Sequence, residues 1–157
     1  MNFAARLAIA LALVAAPAGA IDLTGTWEGT FSCKSFDGTA APQNFKNKDS
    51  VMLIAQTDAT FIAQLDEVDH YNGAVIDDAS DTTARGEAVM NHCGTDALPL
   101  LDSPGEIVRL KAKVDPEKGT GTLSGDSIFE MPGLVMSCKF KFKRTNLTPN
   151  KFGGCPV

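Results

Sequence analysis

Aromatic side chains are scarce in this chain, with one tryptophan, one tyrosine and nine phenylalanines in 157 residues. Histidine is scarcer still, so imidazole chemistry is confined to His70 and His92. Bases are outnumbered, 14 against 19 acids, giving a formal charge of −5. That balance argues against a general nucleic-acid binder, whose affinity rests on neutralising phosphates. No nucleophile elbow or phosphate loop occurs, and the acids between Asp66 and Asp81 lack the spacing of a calcium loop. No metal or cofactor is expected from these residues. Long apolar runs are also missing after Leu7–Ala16, and that run falls short of the about 20 residues a membrane span needs. With Arg6 before it and Pro17-Ala18-Gly19-Ala20 after it, the segment 1–20 reads as a secretory signal peptide cut after Ala20. The expectation is one domain over 21–157, secreted or periplasmic, with no membrane span and an irregular tail from about 146.

Four cysteines are present, Cys33, Cys93, Cys138 and Cys155. Behind a secretory leader an even number reads as two disulfides, and no pair has the spacing of a zinc site or a redox Cys-x-x-Cys motif. With the thiols bridged, a cysteine nucleophile is not available, and the chain is read as a non-enzyme.

What the chain has in quantity is alternation. Leu23, Gly25, Trp27, Gly29, Phe31 and Cys33 fall on one side of an extended chain, and Thr24, Thr26, Glu28, Thr30 and Ser32 on the other. Short apolar strands are expected at Val51–Gln56, Thr60–Leu65 and His70–Ile76. Alternation returns over Thr83–Cys93 and Glu106–Val114. Asp115-Pro116-Glu117-Lys118-Gly119 supplies a proline start and a glycine exit for a hairpin turn. Thr120–Phe129 follows, and Leu134–Arg144 is the most regular of all, with Met136, Cys138, Phe140, Phe142 and Arg144 on one face. Two long loops are expected, Lys34–Ser50 and Gly94–Pro104. Eight antiparallel strands in sequence can close into an up-and-down barrel, which removes exposed edges. A disulfide-braced β-sandwich is the alternative.

In a closed barrel of this order the first and last strands pair antiparallel. Setting Trp27 opposite Arg144 also sets Cys33 opposite Cys138, with all four facing inward. That register favours Cys33–Cys138 and leaves Cys93–Cys155. Lysine and arginine gather on the outward faces of the sixth and eighth strands, at Arg109, Lys111, Lys113, Lys139, Lys141 and Lys143. Such a row ordinarily keeps a β surface soluble.

The Leu23-Thr24-Gly25-Thr26-Trp27 opening resembles that of avidins and, through Gly25-x-Trp27, of lipocalins, together the calycin barrels. The resemblance implies that Trp27 packs at a closed end under Arg144. It also implies that Lys34–Ser50 forms a lid over the open end. Strand parity and direction then place Phe31, Met90, His92, Val108 and Met136 around the mouth. The function these residues point to is non-enzymatic binding of a small, largely apolar ligand outside the cytoplasm. The alternative is a protein-interaction module such as a secreted protease inhibitor.

Overall fold

The computed structural model describes residues 21–38, 41–79, 84–95, 106–131 and 133–155; the expected leader lies outside them. Eight strands follow in order: β1 (Gly25–Phe36), β2 (Gln43–Thr57), β3 (Thr60–Leu65), β4 (Asp69–Ala79), β5 (Ala84–Thr95), β6 (Ile107–Asp115), β7 (Thr120–Met131) and β8 (Leu134–Asn146). Each pairs antiparallel with the next, and β8 returns to pair with β1. The result is a closed barrel, not a sandwich. Closure uses the register read from the sequence, with Trp27 opposite Arg144 and Cys33 opposite Cys138.

Alternation decides which side chains fill the barrel. On β6, Val108, Leu110, Ala112 and Val114 are buried while Ile107, Arg109, Lys111 and Lys113 are exposed. On β8 the inward row is Cys138, Phe140, Phe142 and Arg144. The less regular β7 takes its phase from these neighbours, turning Leu123, Gly125 and Ser127 inward and Thr122, Ser124 and Asp126 outward. The β6–β7 hairpin forms as its residues require. Gly119 turns at φ 67, and Asp115 Oδ1 accepts from Lys118 N at 3.0 Å.

One end of the barrel is shut by residues ahead of β1. Leu23 is fully buried and Ile21 nearly so. Gln56 ties both down, its Oε1 accepting from Leu23 N at 2.8 Å and its Nε2 donating to Ile21 O at 2.9 Å. Above them Trp27 donates Nε1–H to Leu23 O at 2.9 Å, and the Arg144 guanidinium lies 4.6 Å from its ring centre. Arg144 also donates to Asp22 O, which joins the last strand to the plug.

The middle of the barrel is filled. Met52, Ile54, Ala63, Leu65, Ala88, Met90, Val108, Leu110 and Leu123 all face inward at 0–1% exposure. A void holding even one water would leave some of that surface accessible, so these layers are dry and close-packed.

The Lys34–Ser50 expectation needs correction. β1 continues to Phe36 and β2 already begins at Gln43, so most of the expected loop is a paired arm. Its sequence hides this because both faces are wet: Gln43 to Lys46 are all exposed, which erases the alternation. A bulge accompanies the arm. Gly29 pairs with Ser50 but Phe31 pairs with Asn47, so β2 carries one extra residue there and its phase flips. The flip turns Phe45 toward the mouth side, its ring edge-on to Phe31 at 6.1 Å. Asp66 holds the bulge, accepting from Val51 N at 2.7 Å and Asn47 Nδ2 at 3.1 Å. This acid serves a turn. The other expected loop is shortened, since β5 runs to Thr95; residues 96–105 lie outside the described ones.

After Asn146 the chain has no regular structure through Cys155. The tail lies over the barrel wall, where Gly153 O is 3.3 Å from His70 Nδ1 and Cys155 is bonded to Cys93. Cys33 is bonded to Cys138. Two disulfides fit an oxidising compartment. No helix among the described residues is long and apolar enough to cross a membrane. The wall itself is charged where a membrane barrel carries an apolar band, as the β6 and β8 rows show.

Candidate functional site

The strands stack inward residues in layers, and register fixes the layers at the end opposite the plug, which is the mouth. Val108 lies opposite Ser127, Ser127 opposite Cys138, and Cys138 opposite Cys33. One step nearer the mouth, Phe129 faces Met136 and Met136 faces Ser35. On the other side Tyr71 pairs with His92, whose N–H donates to Glu106 O at 3.1 Å. The mouth is therefore divided. Phe31, Phe129 and Met136, partly exposed, make one half; Tyr71, His92, Glu106 and Ser127, all buried, make the other.

The polar half is a connected network. Ser127 Oγ donates to Glu106 Oε1 at 2.5 Å. The Tyr71 hydroxyl lies close enough to the Glu106 carboxyl that each affects the other's titration. Tyr71 and His92 meet edge-to-face at 5.1 Å, and His92 Nε2 lies 3.4 Å from Asp69 Oδ1. Burial is the main influence on Glu106 and Tyr71. It lifts the Glu106 carboxyl above its ordinary value, while Ser127 and His92 pull it back. It lifts the Tyr71 phenol well above the ordinary tyrosine value, helped by the negative charges of Glu106 and Asp69. Tyr71 is thus a neutral donor at physiological pH. Chemically the arrangement offers carboxylate acceptors, which suit a hydrogen-bond donor or a cation. Both disulfides are formed and no cysteine is free, so it holds no thiol nucleophile.

Of the five residues placed at the mouth from sequence, the structure gives three different answers. Met90 and Val108 belong to the packed core, at 1% and 0% exposure, below the opening. Phe31 and Met136 are partly buried against that core from the mouth side. His92 faces inward and is buried, in contact with Tyr71. Tyr71, Glu106, Ser127 and Phe129 were not singled out by sequence reasoning. Glu106 was the accessible signal, because it shares parity with Val108, Leu110, Ala112 and Val114 and so had to point inward.

Comparison with models of protein families, with curated proteins and with solved structures finds no match to this chain. The site has to be read from its own geometry.

Glu106 yields a test that needs no ligand. Its pKa is raised in the folded protein, so folding favours the protonated form. The stability it contributes is full below the unfolded glutamate value and is lost as pH rises through the folded one. Glu106→Gln keeps the shape and removes the titration. The thermal midpoint of this variant should gain on that of the native protein as pH rises from about 4 to about 8. A difference independent of pH would show that the carboxyl does not titrate with folding.

Proposed function

We propose that this is a non-enzymatic binding protein, secreted or periplasmic, that holds a small amphipathic molecule at the mouth of a calycin-type barrel. The observation that supports this reading is the divided mouth, with buried Glu106 hydrogen-bonded by Ser127 beside buried Tyr71 on one part and partly exposed Phe129 and Met136 on the other. The packed middle keeps the ligand shallow. An apolar body fits against Phe31, Phe129 and Met136, with Phe45 beside Phe31 on the arm. The ligand's polar end meets two carboxylates, Glu106 and Asp69, with His92 between them in the network. A donor such as an amine suits those acceptors, and a carboxylate does not. The leader at 1–20 and the two disulfides support a place outside the cytoplasm.

Fluorescent probes with one alkyl body and either an amine or a carboxylate end test this directly. The amine probe should bind saturably, and Glu106→Gln should weaken it about 10–100-fold, the worth of a hydrogen bond to a charged group. Met136→Trp should block the amine probe by filling the apolar half. Equal binding of the two probes, or none, would remove the mouth as the site.

A second reading, a protein-interaction module such as a protease inhibitor, draws on the outer wall near the mouth. Ile107 and Ile128 face each other there at 61% and 66% exposure, and Phe36 faces Val135. Insertion of the N-terminal segment into a partner is not the mode, because Ile21 and Leu23 plug the barrel.

A further inference from the structure

Two rows of cations run side by side along the outer wall. β6 contributes Arg109, Lys111 and Lys113, β8 contributes Lys139, Lys141 and Lys143, and all six are exposed. Through β7 the rows are in register: Arg109–Asp126–Lys139, Lys111–Ser124–Lys141 and Lys113–Thr122–Lys143. Strand geometry sets the spacing, about 7 Å between cations along a row and about 10 Å between rows. The β7 residues between them are shorter, so the wall forms a trough with basic sides and a floor of Thr122 and Ser124. Two shallow clefts mark it, one between Lys113 and Lys143 at the closed end, the other between Arg109, Lys111, Lys139 and Lys141.

Few of these charges are paired within the protein. Among the described residues, Lys111 alone of the six has a carboxylate within 4.0 Å, Glu87 at 3.9 Å. Six of the chain's 14 cations thus stand on one face of a protein whose formal charge is −5. Solubility does not require such segregation, since mixed signs serve it as well.

We propose that this trough binds a linear acidic polysaccharide. Charge complementarity along two parallel rows selects an extended polyanion lying along β7. The hydroxyl floor selects one that carries hydroxyls of its own. A peptide adding as a strand finds no site, because β6, β7 and β8 are each paired on both sides in the closed barrel. Single-stranded nucleic acid would want aromatic platforms for its bases, and the outward rows of β6 and β7 carry isoleucine as their only large apolar residue. A bilayer is flat, and the raised lysines would keep it from the floor. Two acids touch the trough: Asp126, set between Arg109 and Lys139, weakens its upper end, and Asp115, at the closed-end cleft, is paired with Lys118 at 2.9 Å.

Titrating the full-length mature protein onto immobilised polygalacturonate and dextran sulfate, with neutral dextran as the blank, tests the proposal. Both polyanions should bind and neutral dextran should not. Lys111→Gln with Lys141→Gln should weaken binding at least tenfold and lower the salt-dependence slope by about 2, one per released cation contact. Asp126→Asn should tighten binding, a gain that no folding defect can produce. Lys48→Gln with Lys151→Gln removes the same charge away from the trough and should change binding less than twofold. The proposal is overturned by equal losses in the two double variants, by an inert Asp126→Asn, or by no binding at low salt. Tighter binding to phosphatidylglycerol vesicles, or to oligothymidylate, than to polygalacturonate also overturns it and reassigns the face. None of these readouts involves the mouth, so the amine-probe result and this one stand or fall separately.

Discussion

Replacing Trp27 by alanine should destabilise the protein by about 3–5 kcal/mol, the usual cost of emptying a large buried aromatic site. The side chain is fully buried and is among the largest in the interior. Its surroundings cannot easily close over the gap, because they have been shaped to it. Gly121 lies so near that an added Cβ would sit 2.9 Å from the indole. The loss is compound. Leu23 O would lose the indole N–H that reaches it at 2.9 Å, and Arg144 would lose the ring face 4.6 Å beneath it. An arginine over an indole is worth about 0.5–2 kcal/mol on its own. Trp27→Phe, which keeps a ring but not the N–H, should fall between the alanine variant and the native protein. Urea unfolding followed by far-ultraviolet circular dichroism measures all three, since the variants remove the only tryptophan signal. An unchanged midpoint in Trp27→Ala would mean that the barrel is not closed around this residue.

The closed end was legible in sequence because two independent constraints met there. Parity put Trp27, Cys33, Cys138 and Arg144 inward, and one register of β1 on β8 satisfied both pairs; the structure has that register and both contacts. Strand number and order were legible for the same reason, alternation being strong in β1, β6 and β8. The mouth was read less well. The arm at Gln43–Lys46 has two wet faces and therefore no period, and its bulge reverses the phase that would have located Phe45. Tyr71 and Ser127 sit in strands whose rows also hold Gly73 and Gly125, so the apolar pattern around them is thin. Glu106 was visible by parity, but a carboxyl facing a barrel interior contradicts the simplest expectation that charge points out. Such contradictions between local rule and observed place tend to mark function, which is why the network around Glu106 outranks the fully apolar positions Met90 and Val108 as a site.

The same barrel carries two surfaces of opposite sign. Carboxylates gather inside the mouth at Glu106 and Asp69, and cations gather on the wall at β6 and β8. Period-2 alternation makes this possible without a further domain, because adjacent residues of one strand serve opposite sides. Val108 packs the core while Arg109 faces the solvent, and Ser127 bonds Glu106 while Asp126 sits in the trough. A ligand inside and a polymer outside would therefore be held by the same strands.

Removing the Cys33–Cys138 bridge should be the second most costly change, about 3–5 kcal/mol for Cys33→Ala with Cys138→Ala. The bridge spans a sequence separation of 105 residues, and loop entropy in the unfolded chain assigns close to 5 kcal/mol to a loop of that size. In the folded protein it joins β1 to β8, the seam that closes the barrel, at a place buried on both sides. The bridge Cys93–Cys155 spans 62 residues, which by loop entropy alone is worth nearly as much. Its position makes the outcome different. It fastens an irregular tail to the wall, and without it residues 147–155 can detach while the eight strands stay paired. Cys93→Ala with Cys155→Ala should accordingly lower the thermal midpoint less, yet speed tryptic cleavage at exposed Lys151 and uncover His70. Cys33→Ala with Cys138→Ala should do the reverse, lowering the midpoint strongly while Lys151 stays protected below it. Non-reducing peptide mapping of the native protein fixes the premise, and a Cys33–Cys93 linkage would contradict the β1–β8 register itself. If both pairings stand and the two variants still melt alike, then the tail folds with the barrel as one unit, and the wall over His70 belongs to the core.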